Sequence, residues 1–250
     1  MNIQKLNDIQ ASPYTALLYC PPGVGKSTAI GLIAEASEGN TLVLDVDRTI
    51  VKTLNKGEIV KDTSKVLVTQ IENRGADICL NISGTFKAWT DTLTEITPKF
   101  LKDNDIHTIA VDNISELERC ILSDLGKQGN NKGVPSMGDY QYMQFKLVNS
   151  LRYMKSLNVN VIWTAWEDVR QITNPDGTSY SQLIPKMSQK IVDNICGLCD
   201  VVGNIRIGKE GKHGILLEAM ANIYAKNQID DRKSCAVEDF VNFNVKKEDN

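Results

Sequence analysis

The chain has 250 residues, of which 42% are hydrophobic and 24% are charged, and its formal net charge at pH 7 is −3. This length and apolar content suffice for one large hydrophobic core, so we expect one main domain. The small negative charge excludes a uniformly basic surface, so any contact with nucleic acid must come from local patches or from an oligomer.

The cysteines and the longest apolar runs indicate the cellular compartment in which the protein is expected. Six cysteines are scattered along the sequence and no apolar signal segment precedes the first predicted strand, so we expect a reducing cytoplasm. No apolar run in the sequence reaches membrane-spanning length, and we expect no membrane partner. Cys196 and Cys199 have metal-ligand spacing, but no second such pair accompanies them, and we interpret them as buried thiols on one helix.

The first predicted strand, residues 16–19, leads into "CPPGVGKST", residues 20–28. This stretch keeps the glycine, lysine and hydroxyl that end the phosphate-loop pattern, in which backbone N–H groups and the lysine bind phosphates and the hydroxyl binds magnesium. Cys20 replaces the first glycine of the pattern, but Pro21 favours an extended conformation there, which any residue adopts. The predicted nucleotide-binding residues are Pro22, Gly23, Val24, Gly25, Lys26, Ser27 and Thr28.

Carboxylates follow the next two predicted strands. Strand 41–46 ends in "LVLDVDRT", where Asp45 or Asp47 could orient an attacking water; alternation directs both to the same side, so spacing does not choose between them. Strand 108–111 ends in "TIAVDN". Its Asp112 is the carboxylate that a magnesium site needs beside Ser27, and we assign it to nucleotide and metal binding.

Two apolar stripes with helical spacing are interpreted as core faces. The first contains Phe86, Trp89, Leu93 and Ile96, and the second contains Tyr142, Phe145, Val148, Leu151 and Met154. A fourth strand is predicted at residues 159–164. Because helical patterns alternate with apolar strands, the sequence predicts an α/β fold with a parallel sheet and crossover helices.

Two segments rich in glycine and asparagine, residues 126–138 and 170–185, interrupt this pattern. The second contains a hairpin-turn signal at residues 174–177. Beyond it we expect a helix at residues 187–198, strands around residues 201–207 and 214–220 that form a late antiparallel pair, and a frayed polar end.

In this order the phosphate loop, "LVLDVDRT", "TIAVDNISELER", "VNVIWTAWED" and "IYAKNQID" resemble the RecA/RadA/KaiC-type ATPase core, most closely the Sak-type single-strand annealing ATPases of phages. The resemblance implies a RecA-like P-loop NTPase core with a mostly parallel sheet, flanking helices and a late antiparallel hairpin. It also implies an ATPase domain at residues 1–230, a C-terminal tail at residues 231–250, and ATP with Mg²⁺ as cofactors.

The resemblance also implies roles for single residues. Lys26 is the phosphate-binding lysine, and Asp47 occupies the position of the water-orienting carboxylate, one methylene shorter than the usual glutamate. A structural carboxylate is the alternative for Asp47. Residues 164–166 match the strand end that senses the γ-phosphate. Lys226 fits the lysine of an element that reaches the neighbouring subunit's nucleotide, although Gln228 replaces the arginine of that element; a surface lysine is the alternative.

In recombinase cores, flexible loops facing single-stranded DNA follow the strands that here precede residues 126–138 and 168–185. The resemblance therefore implies that Lys127, Lys132 and Arg170 contact phosphates and that Tyr180 stacks on a base. Plain surface loops are the alternative, because these segments carry no sharp motif.

The function implied by the resemblance is a DNA-recombination ATPase that binds single-stranded DNA and promotes annealing or strand pairing. Such a protein would act as a ring or filament in the cytoplasm, the host's bacterial cytoplasm if a phage encodes it, with a single-strand binding protein as a candidate partner. A helicase-like translocase or a loader uses the same core and stays an alternative. So do a nucleotide switch without hydrolysis and, last, a small-molecule kinase, for which the scattered arginines offer no lid-like cluster.

Overall fold

The computed structural model describes residues 13–71, 84–208 and 210–243. The strands within these ranges are β1 (Thr15–Cys20), β2 (Asn40–Asp45), β3 (Val66–Gln70), β4 (Ile106–Asp112), β5 (Asn160–Thr173), β6 (Ser179–Pro185), β7 (Val201–Ile207), β8 (His213–Leu216), β9 (Lys226–Asn227) and β10 (Ser234–Ala236). The helices are α1 (Lys26–Ala36), α2 (Ile50–Leu54), α3 (Thr85–Glu95), α4 (Pro98–Asp103), α5 (Ile114–Gln128), α6 (Met137–Ser156), α7 (Gln189–Leu198) and a 3-10 helix, Glu238–Val241.

The strands form one mostly parallel sheet in the order β10-β8-β7-β1-β5-β4-β2-β3. The six strands from β7 to β3 in this order run parallel, whereas β8 and β10 extend the sheet in antiparallel fashion. The predicted α/β class, the flanking helices and the late antiparallel hairpin, formed by β7 and β8, are confirmed. The carboxyl ends of β1, β2, β4 and β5 lie at the same edge of the sheet, where ligands bind in open α/β sheets.

Strand alternation divides the core between the two faces of the sheet. From β1, Leu17 and Tyr19 belong to the cluster that also contains buried residues of α5, α6 and α7. Leu18 and Cys20 belong to the opposite cluster, with α1 and the 3-10 helix. All six residues of β1 are buried. β1 is therefore a rigid central strand, and its end fixes the start of the phosphate loop.

The predicted core stripe on α3 is confirmed, because Trp89 and Ile96 are buried and Phe86 and Leu93 pack against the core. The predicted stripe on α6 is only partly correct. Val148, Leu151 and Met154 are buried, but Tyr142 is 46% exposed and Phe145 is 70% exposed.

The buried face of α6 is set by the residues four apart that meet the rest of the core. Met143 and Leu147 are fully buried, and Ser150 continues this face. At 100° per residue, Tyr142 and Phe145 point about 120° and about 180° away from the direction midway between Met143 and Leu147. The sequence spacing from Tyr142 to Met154 therefore mixes two faces of one helix.

The second glycine-rich segment is not a flexible loop. Residues 168–185 consist almost entirely of strand: β5 continues past the edge of the sheet, and its residues 167–173 pair with β6 alone. We call this hairpin, residues 167–185, the arm. Its turn is the predicted one, since Gly177 N donates to Asn174 O at 3.0 Å and Asn174 N donates to Thr178 O at 2.8 Å. β-pairing over seven residue pairs overrides the loop-like composition.

The first glycine-rich segment is shorter than expected as a loop. α5 continues to Gln128, and α6 begins at Met137 behind a capping box in which Ser136 and Asp139 bond to each other's backbone N–H groups. Only residues 129–136 connect the two helices. Helix signals at both ends therefore shorten the predicted loop.

The described part of the predicted tail, residues 231–243, is integrated in the domain. β10 pairs with β8, and Phe240 is fully buried. The Phe240 ring lies 5.6 Å from that of Tyr14 and 4.8 Å from that of Phe243. This differs from the tail predicted for residues 231–250, because an apolar cluster joins this segment to the start of β1. Residues 244–250 lie outside the described residues.

Candidate functional site

The phosphate loop occupies the connection from β1 to α1. Cys20 is the last residue of β1 and pairs in register with Trp166, so it is extended, as predicted. Burial raises the pKa of its thiol to about 11, which leaves an inert buried side chain. Cys20 therefore belongs to the strand that carries the loop, and its side chain is not part of the phosphate-facing surface.

The two glycines of the loop are required by geometry. Gly23 and Gly25 have φ angles of 82° and 120°. A Cβ atom on Gly25 would also lie 2.5 Å from Nε2 of His213 on β8. Lys26 follows as the first residue of α1 and is 7% exposed. The loop thus holds a lysine and the free N–H groups of a helix start around one point, which suits an anion.

Ser27 and Asp112 meet at this point. Ser27 Oγ donates to Asp112 Oδ2 at 2.5 Å. Thr164 Oγ1 donates to the other carboxylate oxygen, Oδ1, at 2.7 Å. Asp112 is fully buried at the end of β4, between the phosphate loop and β5. These are the hydroxyl and the carboxylate predicted to share Mg²⁺, and oxygen donors of this kind suit that ion.

The structure separates the two aspartates that spacing left equivalent. Asp47 lies beyond the end of β2, beside Lys26 and Ser27 in the lining of one cavity. Its carboxylate is held on both sides: Asn113 Nδ2 donates to Oδ2 at 2.7 Å, and Thr49 Oγ1 donates to Oδ1 at 2.7 Å. Asp45, the last residue of β2, is fully buried and does not line this cavity. Asp47 is therefore the one placed to meet a ligand.

Burial and repulsion between carboxylates raise the pKa values of Asp45 and Asp112 at this edge of the sheet. The pKa of Asp45 is raised to about 6, first by burial and then by Asp112 and Asp47. The pKa of Asp112 is also raised, mainly by burial, while the hydrogen bond from Ser27 acts in the opposite direction. The two carboxylates that line the cavity, Asp47 and Asp112, favour a cation there.

A cavity of about 420 Å³ contains these groups and continues away from them. Its phosphate-loop end is lined by Pro22, Gly23, Gly25, Lys26, Ser27, Thr28, Asp47, Thr49, Asp112 and Trp166. Its other end is lined by Thr53, Lys56, Gly57, Glu58, Ile59 and Val60. The lining thus combines charged groups, Lys56 and Glu58 among them, with the apolar side chains of Ile59 and Val60, which suits a ligand with charged and apolar parts such as a nucleotide.

Trp166 lines the cavity at the point where β5 leaves the sheet. Its backbone is fixed, because its N–H donates to Ser115 Oγ at 2.9 Å and its carbonyl accepts from Lys186 N at 2.7 Å. The guanidinium of Arg119 lies 5.1 Å from the centre of the indole ring. The cavity wall at this strand end is thus aromatic, with a cation stacked on it.

Several residues of the site were missed by the sequence analysis. Asn113 and Thr49 orient Asp47, and residues 53–60 complete the cavity. Thr49 stands two residues after Asp47, a spacing at which a hydroxyl often bonds a turn aspartate, so a signal existed. For residues 53–60 the sequence carries none, because only the packing of Val60 and Leu54 against Gly31 brings them to α1.

The arm carries two of the four residues predicted to contact DNA. Arg170 and Tyr180 line an open groove of about 780 Å³ between the arm and residues 217–233. Arg170 already has partners: Nε and NH2 donate to Gln182 Oε1 at 3.1 and 2.9 Å, and NH1 lies 3.7 Å from Asp193 Oδ1. Its guanidinium is therefore partly engaged within the chain.

The other two predicted residues lie elsewhere. Lys127 is exposed in the last turn of α5, and Lys132 is exposed in the connection to α6, where it adopts a φ angle of 51°. The structure thus places the two predicted pairs on different elements, the arm and the α5–α6 connection.

Lys226 has a structural task in its own chain. Its Nζ donates to the carbonyl oxygens of Cys199 at 2.7 Å, Cys196 at 3.2 Å and Gly197 at 3.3 Å. These carbonyls end α7, so the amine satisfies acceptors that the helix leaves open. Lys226 does not line the nucleotide cavity of this chain.

The described ranges contain neither a metal-binding cluster of side chains nor a membrane-spanning helix. Cys196 and Cys199 are buried in and just after α7, as predicted, and no cluster of three or more metal-binding side chains occurs among the residues the structure describes. Within the same residues, no helix has the length and hydropathy needed to cross a membrane.

A comparison with protein families supports the geometry of the site. The model of the AAA domain matches residues 12–229, which is most of the chain. No curated protein matches the sequence. The matched range includes the phosphate loop, Asp47, Asp112 and the arm. The chain therefore belongs to the AAA domain family, and its nucleotide-binding edge is that of a AAA-type P-loop ATPase.

Proposed function

We propose that this protein hydrolyses ATP and uses the nucleotide to control single-stranded DNA binding in recombination, promoting annealing or strand pairing. The observation that carries the proposal is the course of β5. This strand holds Thr164 and Trp166 at the nucleotide cavity and then continues as one side of the arm, which presents Arg170. A change at the cavity can therefore be transmitted to the arm along one continuous strand.

The residues of the cavity divide the work of hydrolysis. Lys26 and the backbone N–H groups of the other loop residues that line the cavity, Gly23, Gly25, Ser27 and Thr28, bind the phosphates. The N–H of Val24, which was predicted to take part, donates instead to Pro21 O at 3.3 Å. Ser27 and Asp112 would hold Mg²⁺, which neutralises developing negative charge when bound. Asp47, fixed by Asn113 and Thr49, accepts a hydrogen bond from the attacking water and orients it towards the terminal phosphate. Its short side chain predicts slow turnover unless a partner tightens the site.

Assembly completes the proposal. With a net charge of −3, one copy offers little attraction for a phosphate backbone, so a ring or filament would be needed to align local cationic surfaces into a track. We propose such a homo-oligomer in the cytoplasm, with a single-strand binding protein as a candidate partner. The narrower kinship to Sak-type phage proteins is part of this proposal. A neighbour-directed role of Lys226 would require its amine to leave the three carbonyls at the end of α7.

The test is steady-state ATP hydrolysis with and without an oligothymidylate, with the oligomer mass followed by light scattering. We expect DNA to stimulate hydrolysis, and we expect Lys26→Ala and Asp47→Asn to abolish it. Lys190→Ala, an exposed lysine on α7, serves as the matched control for Lys26. Hydrolysis that Lys26→Ala leaves unchanged refutes the site, and equal rates with and without DNA refute the DNA function.

A second measurement separates annealing from the alternative outputs. Annealing of complementary strands, without separation of a forked duplex, is the expected result. Strand separation on the fork would instead identify a helicase-like translocase built on the same nucleotide site.

A further inference from the structure

α6 exposes aromatic side chains that its sequence pattern assigns to the core. Phe145 is 70% exposed and Tyr142 is 46% exposed, although both lie in the middle of a long, well-packed helix. The opposite side of α6 is saturated, with Met143, Leu147 and Leu151 fully buried. Exposed large aromatic residues next to one another are informative, because isolated monomers seldom carry such a patch without a use.

The residues around these aromatics have a particular chemistry. We define the outer face of α6 as the exposed residues Gln141, Tyr142, Phe145, Asn149 and Arg152. Tyr142, Phe145, Asn149 and Arg152 follow one another at intervals of three or four residues, and Gln141 precedes Phe145 by four, so the five form one continuous strip along the helix. Arg152 NH1 donates to Asn149 Oδ1 at 3.2 Å, which holds the guanidinium over the strip. The strip thus combines two rings, two amides and one cation.

None of the five residues that form the outer face of α6 is acidic. The acidic residue of α6 is Asp139, and its carboxylate is used in the capping box, where it accepts from Ser136 N at 2.6 Å and from Ser136 Oγ at 2.8 Å. Lys146 adds a cation beside the strip, with its Nζ 5.2 Å from the centre of the Tyr142 ring. The face therefore attracts an anionic partner.

The Tyr142 ring is also held in place before any ligand arrives. It packs edge-on against Phe86 of α3, with ring centroids 6.0 Å apart and an angle of 89° between the planes. A ring fixed in this way loses little freedom when a flat ligand stacks on it, which favours binding.

We propose that the outer face of α6 binds single-stranded nucleic acid, with bases stacked on Tyr142 and Phe145 and a phosphate on Arg152. Aromatic platforms flanked by cations, with amides that can meet base edges, are the chemistry that recognises unpaired bases. The cations Arg152 and Lys146 beside the rings favour a nucleic acid over an apolar protein surface as the partner. The inference rests on the proposed DNA function and deepens it, because it moves base stacking from Tyr180 of the arm to α6.

The test measures binding of a fluorescein-labelled oligothymidylate to the full chain by fluorescence anisotropy, at low salt with ATP present. Tyr142→Ala and Phe145→Ala are each expected to weaken binding by about ten-fold, the usual effect of removing one stacked ring. Phe145→Trp should keep the affinity, whereas Phe145→Leu should lose it, because stacking needs a ring and general apolarity does not. Phe100→Ala, at a partly exposed phenylalanine on α4, is the matched control and should bind as the wild type does.

The role of Arg152 has its own signature. Arg152→Gln should reduce the slope of log affinity against log salt concentration by about 0.7, the value for one phosphate contact on a single strand. Thermal unfolding and oligomer mass are recorded for every variant, so that loss of folding or of assembly is recognised.

Each other outcome overturns the inference. Unchanged DNA affinity in the Tyr142 and Phe145 variants refutes this face while leaving the proposed function intact. A wild-type chain that binds no oligothymidylate refutes both. If Phe145→Ala abolishes self-association and Phe145→Leu restores both assembly and DNA binding, the face is a contact between protein subunits and not a nucleic-acid site.

Discussion

At the scale of single residues, the environment gives different properties to chemically identical side chains. Asp45 and Asp47 are two positions apart, yet one is fully buried within the sheet and the other is held by Asn113 and Thr49 in the cavity lining. Asp45 Oδ1 accepts a hydrogen bond from Thr49 N at 3.3 Å, while its Oδ2 has no hydrogen-bond partner among the described residues. A buried oxygen of this kind lowers stability when the group is charged.

We predict that this cost depends on pH. Because the folded-state pKa of Asp45 is about 6, above its ordinary value of 3.8, the folded chain binds more protons than the unfolded chain in this window. Stability therefore falls as pH rises from about 4 through 6. Asp45→Asn keeps the acceptor for Thr49 and removes the charge, so it should raise the free energy of unfolding at pH 8 by about 1–3 kcal/mol and change it little at pH 4.

The measurement is urea unfolding at the two pH values, without nucleotide or Mg²⁺. Asp231→Asn, at an exposed aspartate, is the control and should have no such pH-dependent effect. Destabilisation by Asp45→Asn at pH 8 would show that the charge of Asp45 is favourable in the fold.

A second prediction concerns Trp166. The chain contains three tryptophans, of which Trp89 and Trp163 are 1% and 0% exposed, whereas Trp166 is half-buried and lines the cavity. ATP should therefore change the intrinsic fluorescence through Trp166 alone. Trp166→Phe should abolish the change without abolishing ATP binding, and Lys26→Ala should abolish both. A nucleotide-dependent signal that persists in Trp166→Phe would contradict the placement of this ring.

At the scale of elements, helix ends and strand ends decide where functional groups lie. α7 is fixed at both ends by other parts of the chain: Ser188 N, before its first turn, donates to the carboxylate of Glu118 on α5, and Lys226 Nζ bonds the carbonyls at its end. α5, which carries Glu118, begins directly after Asn113, and its Ser115 Oγ accepts from Trp166 N and donates to Lys186 O. The base of the arm is thus tied to the nucleotide edge through α5.

The role of Lys226 gives an element-scale prediction. Lys226→Ala should lower the free energy of unfolding by about 2 kcal/mol, because three carbonyls lose a charged donor. ATP affinity should be unchanged, since Lys226 does not line the cavity. Lys190→Ala on the same helix should be nearly neutral, as Lys190 is exposed. A role only in a neighbour's active site predicts the opposite pattern: slower hydrolysis with unchanged unfolding.

At the scale of the whole molecule, the antiparallel extension of the sheet joins the two ends of the described chain. Tyr14, before β1, packs with Phe240 and Phe243 on the face of the sheet that also carries α1. β10 pairs with β8 as the edge strand, and β8 places His213 against Gly25 of the phosphate loop. The C-terminal segment thus supports the strand that buttresses the loop.

A prediction at this scale follows for Phe240. Phe240→Ala should destabilise the domain by about 3–5 kcal/mol, because a fully buried ring is replaced by a cavity. Phe100→Ala, at a partly exposed phenylalanine, should have a much smaller effect. The check is denaturant unfolding monitored by circular dichroism. A near-neutral Phe240→Ala would mean that residues 231–243 behave as the tail that the sequence suggested.

The sequence by itself determined the α/β class, the phosphate loop and the positions of five of the six parallel strands. It could do so because continuous apolar runs and fixed spacings such as Gly25-Lys26-Ser27 are local signals. β3 was missed, because its apolar run is only three residues long, at 66–68, and its five residues are half-buried or exposed at the sheet edge. The turn of the arm was predicted, but the arm as paired strand was not.

Only the tertiary structure decided which of two aspartates faces the cavity, what Lys226 bonds, and which side of α6 is buried. The reason is physical: each of these depends on a partner far along the chain. Asn113 lies 66 residues from Asp47, and Cys199 lies 27 residues from Lys226. The buried face of α6 is determined by α5 and α7, which pack against one side of it and leave Tyr142 and Phe145 exposed. Local pattern fixes elements, whereas packing fixes which side of each element is free to act.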